Sequence, residues 1–144
     1  SSYSFGMPSK QDVGLAVKRL QWRHHSESNR RLWARAGLSL VQWDVLRHVH
    51  RNPDASLHDL ATLTFQTDQS MGELARRMVE RGLLQRVDGP GRAVRHRLTK
   101  AGTAAFEAGS GIVDEVLAET VGTLSVQEQT ELFDLLQKAL DYGF

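Results

Sequence analysis

Apolar residues recur at helical spacing over most of the chain, and only the segment from residue 84 to residue 98 departs from that spacing. The spacing predicts a long first helix over residues 10–35, which Gly37 would end. A second helix is predicted from Ser39 to about His50, opened by a capping box between Ser39 and Gln42. The apolar positions that define these two helices are Val13, Val17, Leu20, Leu32, Trp43, Val45, Leu46 and Val49.

Two short helices are predicted next, joined by only a few polar residues. Ser56 would cap the first of them, which runs to about Leu63. Thr67 or Asp68 would cap the second, and Gly82 would stop it. Two short helices at this separation have the spacing of a helix-turn-helix, whose second helix can enter the major groove of DNA.

The pattern then changes to that of strands. Residues 84–88 are predicted as one strand, and residues 92–98 alternate in polarity as a second. The turn that joins them is Gly89-Pro90-Gly91, the strongest turn signal in the chain. A basic hairpin directly after a helix-turn-helix is typical of a wing.

Two more helices complete the predicted order. Thr99 would cap the first of these, and Gly122 would break it. Ser125 and Glu128 have the spacing of another capping box and would open the last helix. The predicted fold class is therefore mainly α with a small β-hairpin wing, a winged helix-turn-helix domain flanked by N- and C-terminal helices.

Size and composition exclude several classes of protein. A chain of 144 residues has the size of one domain, so we expect residues 10–144 to form a single domain after a tag or disordered leader at residues 1–9. The chain has no cysteine, which excludes disulfides, thiolate zinc sites and cysteine nucleophiles. No apolar run approaches the ~18 residues of a membrane span and no signal peptide is visible, which points to the cytoplasm. No catalytic motif or phosphate-binding loop is present, so we expect neither an enzyme nor a cofactor.

Charge is divided unevenly along the chain, although the net charge is only +1. Residues 1–100 carry 17 Lys and Arg against 9 Asp and Glu, whereas residues 101–144 carry one Lys against 8 Asp and Glu. An α-helix fits the major groove of duplex DNA, and an arginine-tipped hairpin fits the minor groove or lies along phosphates. The charge division indicates an anion-facing part and an acidic C-terminal part that is kept away from that anion, and the helix pair with its basic hairpin suits double-stranded DNA as the anion.

Four segments carry a pattern that is specific only as an ensemble. They are residues 38–46 (LSLVQWDVL), 56–61 (SLHDLA), 74–84 (LARRMVERGLL) and 97–102 (RLTKAG). Together they resemble the multiple antibiotic resistance regulator (MarR) family of bacterial winged-helix transcription regulators. The resemblance covers residues 38–102 well and the flanking helices in outline.

The resemblance implies a homodimer that reads a near-palindromic operator. Residues 38–100 would form the DNA-binding lobe, and residues 10–36 and 101–144 would supply the dimerisation helices. A repressor is the expected activity, and a small aromatic or phenolic effector would relieve it, because members of this family often bind aromatic or phenolic carboxylates. The residues expected to bind such an effector are Trp22, Arg23, Trp43 and Arg47.

The recognition helix of the family would be residues 68–81 of this chain. The residues expected to contact DNA are Thr67, Gln69, Ser70, Glu73, Arg76, Arg77, Arg92, Arg95 and Lys100. Arg92 would enter the minor groove from the wing tip. Two residues depart from the family pattern: Gly72 costs the helix about 1 kcal/mol relative to alanine, and Glu73 places a carboxylate where a neutral or basic residue is usual.

Plainer structural roles compete with several of these assignments. The three tryptophans, Trp22, Trp33 and Trp43, are more typical of core packing than of a ligand pocket. The pairs His24-His25 and His48-x-His50 are not at i,i+3 or i,i+4, so we expect no metal site.

The other two histidines of interest and the basic segments also leave alternatives open. His58 and His96 could touch phosphate or pack, and Arg81 fits the exposed face of an amphipathic helix. The basic hairpin could be a charged strand edge that protects against aggregation. The alternative function is a winged-helix protein–protein interaction module, with the hairpin docking on an acidic partner.

Overall fold

The structure is a computed structural model that describes residues 6–88, 91 and 94–141. In chain order its elements are α1 (Lys10–Ala36), α2 (Leu40–Arg51), α3 (Leu57–Leu63), α4 (Asp68–Glu80), β1 (Leu84–Asp88), β2 (Val94–Leu98), α5 (Lys100–Glu119), a 3₁₀ helix (Val121–Thr123) and α6 (Val126–Leu140). The predicted fold class is confirmed. The described residues contain no helix that is long and apolar enough to cross a membrane.

Capping residues begin the helices where the sequence predicts them. Ser39, Ser56 and Ser125 each accept a hydrogen bond from the backbone N–H three residues later, and the side chain of that later residue accepts from the serine N–H. Thr67 is the N-cap of α4, and its hydroxyl accepts from Ser70 N. Ser9, within the segment expected to be a leader, exchanges the same pair of bonds with Asp12 at the start of α1.

The chain divides into two compact units, and the boundaries fall within α1 and within α5. One unit contains residues 1–27 and 114–144, and the other contains residues 28–113. The predicted DNA-binding lobe, residues 38–100, therefore lies wholly within the second unit.

The second unit contains most of the buried apolar residues. Its core side chains include Leu32, Leu38, Val45, Leu46, Leu60, Met71, Met78 and Leu84, each of which is almost fully buried. Gly37 and Gly82 have positive φ angles of 64° and 76°. They can end α1 and α4 because glycine adopts this left-handed conformation without steric cost.

The first unit, by contrast, has many exposed apolar side chains. Val13, Val17 and Leu20 on α1 are exposed, and so are Phe133 and Leu136 on α6. An apolar groove of about 490 Å³ runs between α1, the end of α5 and α6 within this unit.

The end of α5 differs from the prediction, since the helix stops at Glu119 and not at Gly122. Thr120 donates its hydroxyl to the carbonyl oxygens of Val116 and Leu117 at 3.1 and 3.4 Å. Because this side chain bonds the last helical carbonyls, the chain leaves the α-helix early and continues as the 3₁₀ helix Val121–Thr123.

Candidate nucleic-acid interface

Helix α4 presents one buried and one exposed face. Met71, Ala75 and Met78 pack into the core of the second unit. The opposite face is exposed, and it contains the predicted DNA-contacting residues Gln69, Ser70, Glu73, Arg76 and Arg77. The structure thus places all five on the exposed face of one helix.

The charged side chains of α4 form an exposed cluster. Glu73 lies 3.3 Å from Arg76 and 3.4 Å from Arg77, and Arg76 also pairs with Glu80 at 2.7 Å. Both arginines are therefore partly neutralised by carboxylates of the same helix. Pairs this exposed contribute little to stability, so the arginines can exchange them for phosphates at small cost.

Arg81 fixes the C-terminal end of α4. Its guanidinium donates to the carbonyl oxygen of Gly37 at 3.0 Å and to the side-chain oxygen of Gln42 at 3.2 Å. The side chain is exposed, as the sequence indicates, and it also joins the end of α4 to the α1–α2 junction.

The Leu-Thr-x-x-Gly segment joins the wing to the turn after α4. The Thr99 hydroxyl donates to the carbonyl oxygen of Gly82 and accepts from Gly102 N. The backbone N–H of Thr99 donates to the carbonyl oxygen of Leu83 at 3.2 Å. These bonds hold the two ends of the hairpin beside the end of α4, which fixes where the wing begins relative to the helix.

The wing is an antiparallel pair in which Leu84 is opposite Leu98 and Asp88 is opposite Val94. Arg95 is half-buried and donates to the carbonyl oxygen of Val94 at 3.3 Å, while Lys100 is exposed at the start of α5. Arg97 donates to the carbonyl oxygen of Pro53 at 2.6 Å, so its side chain anchors β2 to the loop before α3. Arg92 lies outside the described residues.

His96 is buried in the wing, opposite Arg86. Burial, with a smaller effect from the nearby Arg86 charge, lowers the pKa of the His96 imidazole. Of the two roles left open for this residue, the structure supports packing. Across the described residues, no three His, Asp or Glu side chains are grouped as metal ligands.

Several solved structures share this fold. A probable transcriptional regulator from Pseudomonas aeruginosa is 27% identical, with 88% of this chain and 96% of that chain covered and a TM-score of 0.71. A MarR family protein of Mycobacterium tuberculosis in complex with p-aminosalicylic acid is 24% identical, with coverage of 88% and 97% and a TM-score of 0.72. A mutant MarR from Escherichia coli complexed with operator DNA is 21% identical, with coverage of 89% and 93% and a TM-score of 0.77. No curated protein sequence matches the chain.

A family model described as the MarR family matches residues 36–93, from the end of α1 to the wing. Over this segment the chain is similar to the MarR family. The matched segment contains α4, and it lies within the second compact unit.

The residues expected to bind an effector are divided between the two compact units of the chain. Trp22 and Arg23 are exposed in the first unit, where Trp22 stacks on His25 with ring centroids 5.9 Å apart. Arg47 is half-buried in the second unit.

Trp43 packs in the core of the second unit. It stacks with Phe106 at 6.2 Å, and its indole N–H lies 3.3 Å from both the carbonyl oxygen of Phe106 and the hydroxyl of Ser110. The core-packing role is therefore confirmed for this residue, but it is wrong for Trp22 and Trp33, whose side chains are exposed.

Two features of the helix-turn-helix involve residues that the sequence does not predict to contact DNA or an effector. His58 on α3 bonds Asp68 at the start of α4 with 2.8 Å between Nδ1 and Oδ1, and Asp68 raises the pKa of His58. Phe65, between the two helices, is 97% exposed and has a positive φ of 59°. The sequence indicates His58 only as a residue that could touch phosphate or pack, and Phe65 stands in no periodic or charged pattern.

Proposed function

We propose that the protein is a cytoplasmic homodimeric repressor that binds a near-palindromic duplex operator and is released from it by a small aromatic acid. The observation that carries this proposal is the exposed polar face of α4, followed at once by the hairpin of β1 and β2. An exposed helix of this kind fits the major groove, and a hairpin beside it reaches the neighbouring backbone or minor groove.

The first turns of α4 would read bases. Gln69, Ser70 and Glu73 are exposed near the N-terminal end of the helix, which is the end that contacts base edges in helix-turn-helix complexes. A carboxylate at Glu73 can accept a hydrogen bond from the amino group of a cytosine. Thr67 would position this turn rather than read a base, because its hydroxyl already caps α4.

The arginines would bind the phosphate backbone. Arg76 and Arg77 are exposed next to the base-reading residues, and Arg95, Lys100 and Arg92 would add positive charge from the wing and the start of α5. On binding, phosphates would replace Glu73 and Glu80 as partners of Arg76 and Arg77. The structural similarity to a MarR complexed with operator DNA supports this assignment.

A second copy of the chain would cover the apolar surface of the first unit. Val13, Val17 and Leu20 on α1 and Leu136 on α6 are exposed beside the apolar groove of that unit. Exposed apolar surface of this extent is typical of an interface. A two-fold dimer would present two copies of α4 to half-sites one helical turn apart, about 34 Å.

The effector class is proposed from one similar protein, the MarR family protein of Mycobacterium tuberculosis, whose structures contain p-aminosalicylic acid and salicylic acid. Trp22 and Arg23 are the proposed contacts in the first unit. In the second unit Arg47 is the proposed contact, and Trp43 would contribute only through the edge of a ring that is already packed on Phe106. An effector of this kind weakens DNA binding only as far as it prefers the dimer geometry that cannot span both half-sites.

Fluorescence anisotropy with a labelled 30-bp duplex of random sequence tests the proposal. We expect binding at 50 mM salt that weakens steeply by 200 mM, because each phosphate contact releases condensed counterions. Replacement of both Arg76 and Arg77 by Gln should flatten the salt dependence by about two phosphate contacts. Absence of binding at 50 mM salt would refute the proposal and favour the protein–protein interaction module.

A further inference from the structure

Phe65 occupies a backbone position that normally belongs to glycine. It follows Thr64, the C-cap of α3, and has a φ of 59°. The N–H of Phe65 donates to the carbonyl oxygen of Thr62 at 3.3 Å, and the N–H of Gln66 donates to that of Ala61 at 2.8 Å. This pair of bonds is the Schellman ending of a helix, in which the left-handed residue is usually glycine because a side chain there is strained.

The side chain of Phe65 receives no compensation from packing. It is 97% exposed, more than any other large apolar side chain in the described part of the chain. Neither the backbone conformation nor burial therefore explains a phenylalanine at this position. A residue that is unfavourable on both counts is a reason to look for a function in which the exposed ring takes part.

The position of Phe65 indicates which part of a DNA duplex its ring could contact. It stands two residues before Thr67, the N-cap of α4, and so beside the turn that would enter the major groove. The ring is apolar and uncharged, so it gains nothing from a phosphate. The apolar group on the major-groove edges of the bases is the 5-methyl group of thymine, and phenylalanine is one of the side chains that contact it.

We infer that Phe65 contacts the 5-methyl group of a thymine in each half-site and so adds to the sequence specificity of α4. This inference rests on the proposed function, since it requires that α4 lies in the major groove. It makes Phe65 a specificity-determining residue in addition to the polar residues of α4.

Replacement of thymine by deoxyuridine tests the contact, because it removes only the methyl group. The probe is the duplex that the wild-type protein enriches most strongly from a random pool, with each thymine replaced in turn. For the wild-type protein we expect one thymine in each half-site at which affinity falls about fourfold, the effect of one buried methyl group.

Two variants test whether the Phe65 ring causes the loss of affinity on deoxyuridine replacement. Phe65→Gly removes the ring and relieves the backbone conformation, so the variant should fold at least as stably and lose the sensitivity at that thymine alone. Phe65→Tyr retains the ring and should retain the sensitivity. If Phe65→Gly shows the same deoxyuridine profile as the wild type, the inference is overturned while the proposed function stands. If the wild-type protein enriches no duplex, the proposed function fails and the inference fails with it.

Discussion

A Cβ atom on residue 102 would stand 1.9 Å from the carbonyl oxygen of Leu83, so the start of α5 can lie against the turn after α4 only with Gly102 in place. The neighbouring Thr99 bonds the carbonyl of Gly82 in the same turn. The end of α4 and the end of the wing are thereby fixed to one another. This contact gives the glycine of the Leu-Thr-x-x-Gly segment a physical role.

Replacement of Gly102 by Ala should destabilise the protein by about 1–3 kcal/mol, because the obstructing atom belongs to the backbone and cannot turn aside. Gly111→Ala is the matched control on the same helix, since a Cβ there would meet nothing within 4 Å. That variant should be more stable by up to about 1 kcal/mol. Urea unfolding at one protein concentration measures the stability of both variants. Equal stabilities would show that residue 102 does not lie this close to the Leu83 carbonyl oxygen.

Replacement of Glu73 by Gln should raise the affinity for random duplex at low salt by about threefold. A carboxylate roughly 7 Å from a phosphate in water repels it by about 0.6 kcal/mol, and the variant removes that repulsion. The folded state should change in stability by less than about 0.5 kcal/mol, because the ion pairs of Glu73 are exposed.

Glu80→Gln is the control for Glu73, since Glu80 pairs with the same Arg76 but lies at the other end of α4. It should change the affinity for random duplex less than Glu73→Gln does. For a selected operator, Glu73→Gln should also reduce the preference over random duplex, because a base contact is lost. Identical effects of the two variants on affinity and on the preference for the operator would show that Glu73 does not contact DNA bases.

The pair of His58 and Asp68 should make stability depend on pH. Asp68, through its hydrogen bond and its charge, raises the pKa of His58 above the ordinary value of 6.5. A raised folded-state pKa means that the pair stabilises the fold below about pH 6.5 and that this contribution is lost as pH rises through the folded-state pKa. The stability advantage of the wild type over Asp68→Asn should therefore shrink between mildly acidic and alkaline pH.

NMR titration of the histidine rings checks the cause directly. Asp68→Asn should bring the His58 pKa back towards 6.5. His24 and His96, whose pKa values are lowered mainly by burial, serve as internal references and should titrate as before. If the pKa of His58 is the same in Asp68→Asn as in the wild type, the two side chains do not pair in solution.

Dimerisation should depend on the apolar surface of the first unit. Leu136→Glu places a charge beside the apolar groove and should give a monomer in sedimentation velocity experiments. The neighbouring Gln137→Glu adds the same charge on a different side of α6 and should remain dimeric. A dimeric Leu136→Glu variant would contradict the proposed interface.

Local features of the sequence predicted most of the fold. The capping boxes at Ser39 and Ser56 and the stop at Gly82 depend on neighbouring residues, so their spacing is visible in the chain. Both strands were predicted, with β1 at the predicted residues and β2 beginning at Val94. The missed end of α5 depends on one rotamer of Thr120, which spacing does not reveal.

Contacts between residues distant in the sequence could not be predicted in this way. Arg81 and Gly37 are separated by 44 residues, as are Arg97 and Pro53, so each arginine looked like an exposed charge. The left-handed conformation of Phe65 could not be predicted for a different reason, because the sequence has no glycine at this position.

Selection of bound duplexes from a random pool tests whether two copies of α4 bind one palindromic operator. We expect an enriched inverted repeat whose half-site centres lie about 10–10.5 bp apart, because two symmetry-related copies of α4 would occupy successive major grooves on one face of the DNA. A pool that stays random through repeated rounds at low salt, or an enriched sequence without two-fold symmetry, would contradict this expectation.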